Sequence, residues 1–219
     1  HNLIGVLNTG LSNHEVSINN YKKALKLKPD FVDAHCNMGH GFKAIGNLNA
    51  AFKSYNNALK FDQRNIEATA SLAAVLMEQG DLEASVETYR RALNIEPNDV
   101  GVCYNLGNVL KIKGDIDGAI ESYERAVLIN PNYVDAYNNM GLAFVASGNP
   151  IAAIDCFKNA ISIDSTYSQA YNNLGLAYVE IGDIPSAVDS YKKALENNLN
   201  YAEAYHNLGI ALAEQGDLK

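Results

Sequence analysis

Two stretches of the chain, YNNMGLAFVASGN at residues 137–149 and YNNLGLAYVEIGD at residues 171–183, are nearly identical and begin 34 positions apart. The same interval governs the remaining sequence. Steps of 34 residues from Gly141 in both directions reach only glycine or alanine, at Gly5, Gly39, Ala73, Gly107, Gly175 and Gly209. Self-similarity at a fixed period of this size is the signature of a repeat protein.

Two further columns keep the same period. One contains only alanine (Ala24, Ala58, Ala92, Ala126, Ala160 and Ala194), and the other contains only aromatic residues (Tyr21, Tyr55, Tyr89, Tyr123, Phe157 and Tyr191). Apolar residues also recur at the spacing of an amphipathic helix, as in residues 136–144. A pair such as Gly148-Asn149 follows, in which the glycine suits a helix end and the asparagine suits an N-cap. Each period therefore predicts two helices joined by a tight turn.

Prolines mark the other predicted helix boundaries. Pro150 and Pro185 fall in the first turn of a second helix, where a missing N–H group is harmless. The second helices are predicted to end near Pro29, Pro97 and Pro131, and the residue after each proline is a candidate N-cap of the next helix: Asp30, Asn98 and Asn132.

The small residues have a predicted packing role. Glycine or alanine in the middle of the first helix, facing the alanine column of the second, allows two helix axes to approach within about 8–10 Å. The aromatic column then fills the space between helix pairs. Because one pair cannot close its own apolar surface, we expect neighbouring pairs to stack and the interfaces between them to supply the stability. The expected fold class is all-α.

The period, the small-residue and aromatic columns and the prolines resemble the tetratricopeptide repeat (TPR) family. The resemblance covers the whole chain and implies a TPR solenoid, a right-handed superhelix of about 13 antiparallel helices. It also implies a single array over residues 1–219, with complete repeats at 32–65, 66–99, 100–133, 134–167 and 168–201 and partial repeats at 1–31 and 202–219. Because the array begins and ends within a repeat, we expect a fragment of a longer protein, or ends that pair with another copy.

In the TPR family, the second, fifth, sixth, ninth, twelfth and thirteenth places of the repeat line the hollow side of the superhelix. The resemblance therefore implies a peptide-binding groove, with the candidate residues Asn37, Asn105, Asn139, Asn173, Asn207, Asn108, Asn138, Asn172, His40, Asp33, Glu67, Asp135 and Glu203. Asparagine dominates the sixth place, and a row of amides with both donors and acceptors suits the backbone of an extended peptide. This column is similar to the asparagine ladder in the repeat region of the O-linked N-acetylglucosamine transferases. The alternative is that these amides bridge neighbouring helices.

Acidic residues at the second and thirteenth places favour a partner segment that carries Lys or Arg. The preferred functional interpretation is a protein–protein interaction module that binds a protein or peptide along the concave groove. Two alternatives stay open. One is a substrate-docking region of a larger, glycosyltransferase-like enzyme whose catalytic domain lies outside this chain, and the other is a self-assembly scaffold with end-to-end association.

Composition and motifs disfavour other functions. The net charge of −8 disfavours nucleic acid as a partner, and no apolar run predicts a membrane span. Cys36, Cys103 and Cys156 are isolated, which predicts reduced, mostly buried thiols and a cytoplasmic location. His35 and His40 lie five residues apart, a poor match to a helical metal pair. No catalytic motif is present, so we expect neither an enzyme nor a cofactor or metal site.

Overall fold

The computed structural model describes residues 13–216, and this part of the chain forms α-helices without any β-strand. The helices are α1 (His14–Leu27), α2 (Val32–Ala44), α3 (Leu48–Phe61), α4 (Ile66–Glu78), α5 (Leu82–Ile95), α6 (Val100–Lys113), α7 (Ile116–Ile129), α8 (Val134–Ala146), α9 (Pro150–Ile163), α10 (Ser168–Glu180), α11 (Ile184–Asn197) and α12 (Ala202–Gln215). The predicted all-α class is confirmed. The first helix of the partial repeat 1–31, and the start of a second helix after Gly216, lie outside the described residues.

The chain divides into two compact units, His1–Val109 (unit 1) and Leu110–Lys219 (unit 2). In unit 1, α2 pairs with α3 and α4 pairs with α5; in unit 2, α8 pairs with α9 and α10 pairs with α11. Each pair is one predicted repeat. Each pair also contacts the next helix along the chain. The first helices of successive repeats are in contact too: α8 contacts α10, and α10 contacts α12. Within each unit, the helical hairpins therefore stack in sequence order.

Each first helix ends as the sequence predicts. The glycines of the turns all have positive φ, between 75° and 88°: Gly46, Gly80, Gly114, Gly148, Gly182 and Gly216. After the first five of these glycines, the Asp or Asn that follows is the N-cap of the second helix, and its side-chain oxygen accepts a backbone N–H three residues on, for example Asn149 from Ala152 at 3.1 Å. Pro150 begins α9 directly after this cap. A backbone N–H at this position would have no acceptor within the helix, so proline loses no hydrogen bond here.

The prediction that Asp30 and Asn132 cap the following helices is wrong. The N-cap of α2 is Phe31 and that of α8 is Tyr133, and in neither helix does a capping side chain accept a hydrogen bond from a backbone N–H. The turn after each proline explains the difference. The Tyr133 N–H donates to the Asn130 carbonyl at 3.1 Å, so the two residues between them are used by the turn and the helix begins after it.

Two other first helices do have a side-chain cap, and the cap of α6 lies one position later than the sequence predicts. Asp99 caps α6, because its Oδ1 accepts the Val102 N–H at 2.8 Å, so Asn98 is not the cap. Asn65 caps α4 in the same way and accepts the Ala68 N–H at 2.9 Å. Both side chains satisfy a backbone donor that the helix itself leaves unpaired.

The alanine and aromatic columns form the core, as predicted, but Gly39, Gly141 and Gly175 face the aromatic ring of their own repeat and not the alanine column that the sequence predicts. The alanines of the second helices have no exposed surface at Ala58, Ala92, Ala126, Ala160 and Ala194. The aromatic rings beside them are also buried, and Tyr55, Tyr123 and Phe157 have none of their surface exposed. Gly39 lies under Tyr55 of its own repeat, where an added Cβ would be 2.6 Å from the ring. The lack of a side chain at this column is therefore what lets the two helices pack closely.

Candidate functional site

The predicted site residues all lie at the second, fifth, sixth or ninth place of a first helix. In each unit, the side chains at the second, fifth, sixth, ninth, twelfth and thirteenth places of the first helices form a face that we call the first-helix face. In unit 2 it is contributed by α8, α10 and α12. Helical periodicity directs these places away from the second helix of the same repeat, because the apolar stripe occupies the places between them.

Side-chain amides link the first helices of unit 2. The Nδ2 group of Asn173 on α10 donates to Oδ1 of Asn138 on α8, at 2.9 Å. The Nδ2 group of Asn207 on α12 donates to Oδ1 of Asn172 on α10, at 3.0 Å. In both bonds, the sixth-place amide of one repeat donates to the fifth-place amide of the repeat before. We call this pair of bonds the amide ladder.

The ladder divides the asparagines into two kinds. The acceptors are buried, with Asn138 6% exposed and Asn172 1% exposed, whereas the donors Asn173 and Asn207 are half-buried. Each donor amide keeps a second N–H and its carbonyl oxygen free of hydrogen bonds to described residues. Asn172 Nδ2 is buried without a hydrogen-bond partner. The ladder thus fixes the sixth-place amides in position while leaving part of their hydrogen-bonding capacity open.

The other predicted asparagines lie on the same helical places but outside these two bonds. Asn139 on α8, Asn105 and Asn108 on α6, and Asn37 on α2 are each half-buried. The predicted acids Asp33, Glu67, Asp135 and Glu203 are all exposed. Asp135 is held by the Tyr167 hydroxyl, which donates to its Oδ1 at 2.9 Å.

The first-helix face of unit 1 has a different chemistry. Serine occupies the sixth place at Ser71, and His40 Nε2 lies 3.2 Å from its hydroxyl oxygen and 3.8 Å from Glu67 Oε1. Lys43 and Glu78 form an ion pair at 2.9 Å, also between α2 and α4. Sequence reasoning named His40 and Glu67 but missed Lys43. The repeat period is the signal that could have identified Lys43, because Glu78 follows it by one period plus one residue.

Burial and two charges set the titration of His40. Loss of hydration lowers the pKa of this imidazole below its ordinary value of 6.5, Glu67 opposes the shift and Lys43 adds to it. The ring also lies 5.5 Å from that of Tyr55, in a tilted arrangement. His40 is therefore favoured as a neutral group near pH 7, and serves as a hydrogen-bonding side chain of this face.

The other reactive side chains, the three cysteines and His35, are packed inside the fold. Cys36, Cys103 and Cys156 are buried and form no disulfide, and burial is the main cause that raises the pKa of Cys36 and Cys156 to about 12. His35 stacks on Phe61 with ring centroids 5.8 Å apart. Within residues 13–216, no group of three or more His, Cys, Asp or Glu is placed to hold a metal ion.

Comparison with known proteins agrees with this architecture. A family model described as TPR repeat matches residues 11–44, 74–111, 107–148, 144–182 and 176–216. The chain belongs to the tetratricopeptide repeat family. No curated protein sequence gives a significant match. As a TPR protein the chain is a protein–protein interaction module, and TPR scaffolds are generally non-catalytic.

Solved structures show the same TPR fold. A crystal structure of MamA is 29% identical, covers 76% of this chain and 97% of its own, and superposes with a TM-score of 0.71. MamA 41-end from Desulfovibrio magneticus RS-1 is 20% identical, with 78% and 97% coverage and a TM-score of 0.72. YrrB, described as a TPR protein with an unusual peptide-binding site, is 21% identical, with 85% and 96% coverage and a TM-score of 0.71.

No helix in the described part of the TPR chain is long and apolar enough to cross a membrane.

Proposed function

We propose that this TPR protein binds an extended peptide segment of a partner protein along the first-helix face. The amide ladder of unit 2 is the observation that carries the proposal. It holds the half-buried amides of Asn173 and Asn207 at equivalent places on adjacent repeats, each with an unused donor and acceptor. Backbone amides of an extended peptide present the complementary groups irrespective of its side chains.

The flanking acids favour a basic partner. Asp135 and Glu203 are exposed at the second place, and Glu180 and Glu214 are exposed at the thirteenth. Carboxylates along a face attract a segment that carries Lys or Arg and speed its association. In unit 1 we propose the same class of ligand, with contacts from Asn37, Asn105, Asn108, His40, Asp33 and Glu67. Asn138, Asn139 and Asn172 complete the proposed set in unit 2.

The test begins with selection of peptides from a displayed random library on the wild-type protein. Selected peptides are labelled, and their dissociation constants are measured by fluorescence anisotropy against the wild type and a variant with Asn173→Ala and Asn207→Ala. We expect affinity to fall by roughly ten-fold or more in the variant, because two sites of backbone hydrogen bonding are lost. We also expect the selected peptides to be enriched in Lys and Arg, and their binding to weaken as salt rises.

A matched control separates binding from folding. Asn159→Ala makes the same change at an exposed asparagine of α9, away from the first-helix face, and is expected to leave affinity unchanged. Circular dichroism shows whether both proteins stay helical. Selected peptides that bind the Asn173→Ala, Asn207→Ala protein as tightly as the wild type would count against the proposal.

End-to-end self-association is a second candidate, supported by a different observation. On α12, Tyr205 is 53% exposed and Ile210 is 48% exposed, and large apolar side chains at adjacent turns suit a protein contact. The wild type is then expected to show a concentration-dependent mass by light scattering after gel filtration, and Ile210→Glu to reduce it. A constant monomer mass at the highest attainable concentration contradicts this candidate.

The compartment is also a proposal. Three buried cysteines that form no disulfide suit a reducing environment such as the cytoplasm, where thiols stay reduced.

A further inference from the structure

Unit 2 has a cavity that lies outside the first-helix face. It occupies about 360 Å³ between the second helices α9 and α11, with α10 beneath them. Its floor is apolar and aromatic, formed by Leu174 and Tyr178 of α10 together with Ile161 of α9. This volume is at the lower end of ligand-binding cavities and accommodates one large side chain with the backbone beside it. We call it the outer cleft.

Two lysines stand at the outer cleft, one on each wall. Lys158 of α9 places its ammonium 5.7 Å from the ring centroid of Tyr178, and Lys193 of α11 places its ammonium 6.0 Å from that of Tyr171. Neither lysine makes an ion pair with a described residue. The lining includes a single acid, Asp189, which is exposed and also lacks an ion pair. The charged groups at the cleft therefore leave an excess of positive charge above an apolar floor.

Hydroxyl groups add polar contacts between these charges. Ser186 and Ser190 of α11 both line the outer cleft. The Ser190 hydroxyl donates to the Ser186 carbonyl at 2.7 Å, which leaves its oxygen as an acceptor. The Ser186 hydroxyl makes no hydrogen bond to a described residue. Ser186 thus supplies a donor that an incoming carboxylate or backbone carbonyl is able to use.

The equivalent groove of unit 1, between α3 and α5, lacks this combination. Its cavity of about 310 Å³ is lined by Leu59, Gln63 and Arg91, with one cation and no aromatic ring. Three periods before the tyrosines of the outer cleft, the sequence has Thr69 and Leu76. A lysine–ring contact of the Lys158–Tyr178 kind also occurs in unit 1, where the Lys22 ammonium lies 5.7 Å from the Phe42 ring centroid. The second contact does not recur there, because Asn57 and His35 stand where unit 2 has Lys193 and Tyr171. The combination of two lysine–tyrosine contacts therefore belongs to the particular sequence of unit 2.

We propose that the outer cleft binds an acidic peptide segment through one of its large apolar side chains. The apolar side chain packs on Ile161, Leu174 and Tyr178, while flanking carboxylates pair with the Lys158 and Lys193 ammonium groups. Both ammonium groups are exposed, so their contribution is to selectivity and association rate, and burial of the apolar side chain supplies most of the affinity. The basic peptide of the first-helix face has the opposite charge, so the two sites accept different partners and do not compete.

The test uses two fluorescein-labelled synthetic peptides, DEDLFEDE and DEDAAEDE, and the complete chain. Anisotropy titration is expected to give saturable binding of DEDLFEDE to the wild type, with affinity at least about ten-fold weaker for DEDAAEDE. Lys158→Glu with Lys193→Glu is expected to weaken DEDLFEDE by about ten-fold or more, and Ser186→Phe to do the same by filling the cleft.

Three controls locate the effect. Lys192→Glu changes an exposed neighbour that does not line the outer cleft, and Arg91→Glu changes the unit 1 groove; both are expected to retain binding. Asn173→Ala with Asn207→Ala is also expected to retain it, which separates this site from the first-helix face. The proposal is overturned if DEDLFEDE fails to saturate the wild type by about 1 mM, or if the Lys158→Glu, Lys193→Glu protein binds it as the wild type does while both proteins stay folded by circular dichroism.

Discussion

Gly141 lies directly beneath the ring of Phe157, and a Cβ on this glycine would be 2.5 Å from Cε1 of the ring. Two carbon atoms from different side chains do not pack this closely, so the absence of a side chain on Gly141 is what admits the ring. The two residues belong to the two helices of one repeat, α8 and α9. Gly39 and Tyr55 have the same relationship in unit 1. The spacing of a helical hairpin is thus set by one small residue and one ring.

Gly141→Ala is expected to destabilise unit 2 by about 1–3 kcal/mol, because the Phe157 ring or the helix must shift. The cost stays in this range because the same column holds alanine at Ala73, so a repeat accommodates one methyl group when its partner helix adjusts. The melting temperature should fall by roughly 2–4 °C for each kcal/mol. Gly209→Ala is the control, since a Cβ there meets nothing within 4 Å. Equal melting temperatures for the two variants would contradict this packing argument.

The N-caps allow two identical substitutions to be compared. Asn149 Oδ1 accepts the Ala152 N–H at the start of α9, so Asn149→Ala is expected to cost about 0.5–2 kcal/mol. Asn132 precedes Tyr133, the actual N-cap of α8, and its side chain caps nothing. Asn132→Ala should therefore change the urea unfolding midpoint little. If Asn132→Ala is the more destabilising of the two, the cap assignment is incorrect.

The helix ends that the sequence predicts correctly are those set by the backbone conformation of a few neighbouring residues. Gly148-Asn149 identifies a helix end because positive φ and an Asx cap each restrict the residue type strongly. The sequence predicts Asn132 as the N-cap of α8, one residue before the observed N-cap Tyr133, because the length of a proline turn depends on its hydrogen bonds and not on residue type alone. The outer cleft could not be predicted, because it depends on how the side chains of three helices fill the space between them.

Fifth- and sixth-place amides are expected to be energetically coupled in pairs. Asn138→Ala removes the acceptor of Asn173, so the double variant with Asn173→Ala should cost less than the sum of the single changes, by about 0.5–1.5 kcal/mol. Asn138→Ala combined with Asn207→Ala is the control, because Asn207 bonds to Asn172 instead. That pair should be additive within about 0.3–0.5 kcal/mol in urea unfolding. Additivity in both pairs would show that the ladder bond contributes nothing to stability.

The cysteines are expected to be unreactive in the folded protein. Burial raises the pKa of Cys36 and Cys156 to about 12, and only the thiolate attacks a disulfide reagent. At pH 8, Ellman's reagent should therefore label these two thiols slowly in buffer and rapidly in urea. Variants that keep one cysteine at a time report each site separately. Rapid native labelling of the protein that retains only Cys156 would contradict its burial.

Protonation of the His40 imidazole makes the first-helix face of unit 1 sensitive to pH. Its pKa is lowered from 6.5, chiefly by burial and further by Lys43, while Glu67 acts in the opposite direction. An NMR titration should therefore place the His40 pKa below 6.5 in the wild type, lower still in Glu67→Gln, and higher in Lys43→Ala.

The sign of the linked stability change follows from these directions. Because the folded pKa is below the unfolded one, the unfolded chain binds more protons between the two values, so stability falls as pH decreases from about 6.5 to the folded pKa and changes no further through this group. His40→Gln removes the titrating group and should flatten the pH dependence of the urea midpoint over that window. A wild-type His40 pKa above 6.5, or a steeper loss of stability in His40→Gln as the pH is lowered, would reverse the sign and contradict burial as the dominant effect.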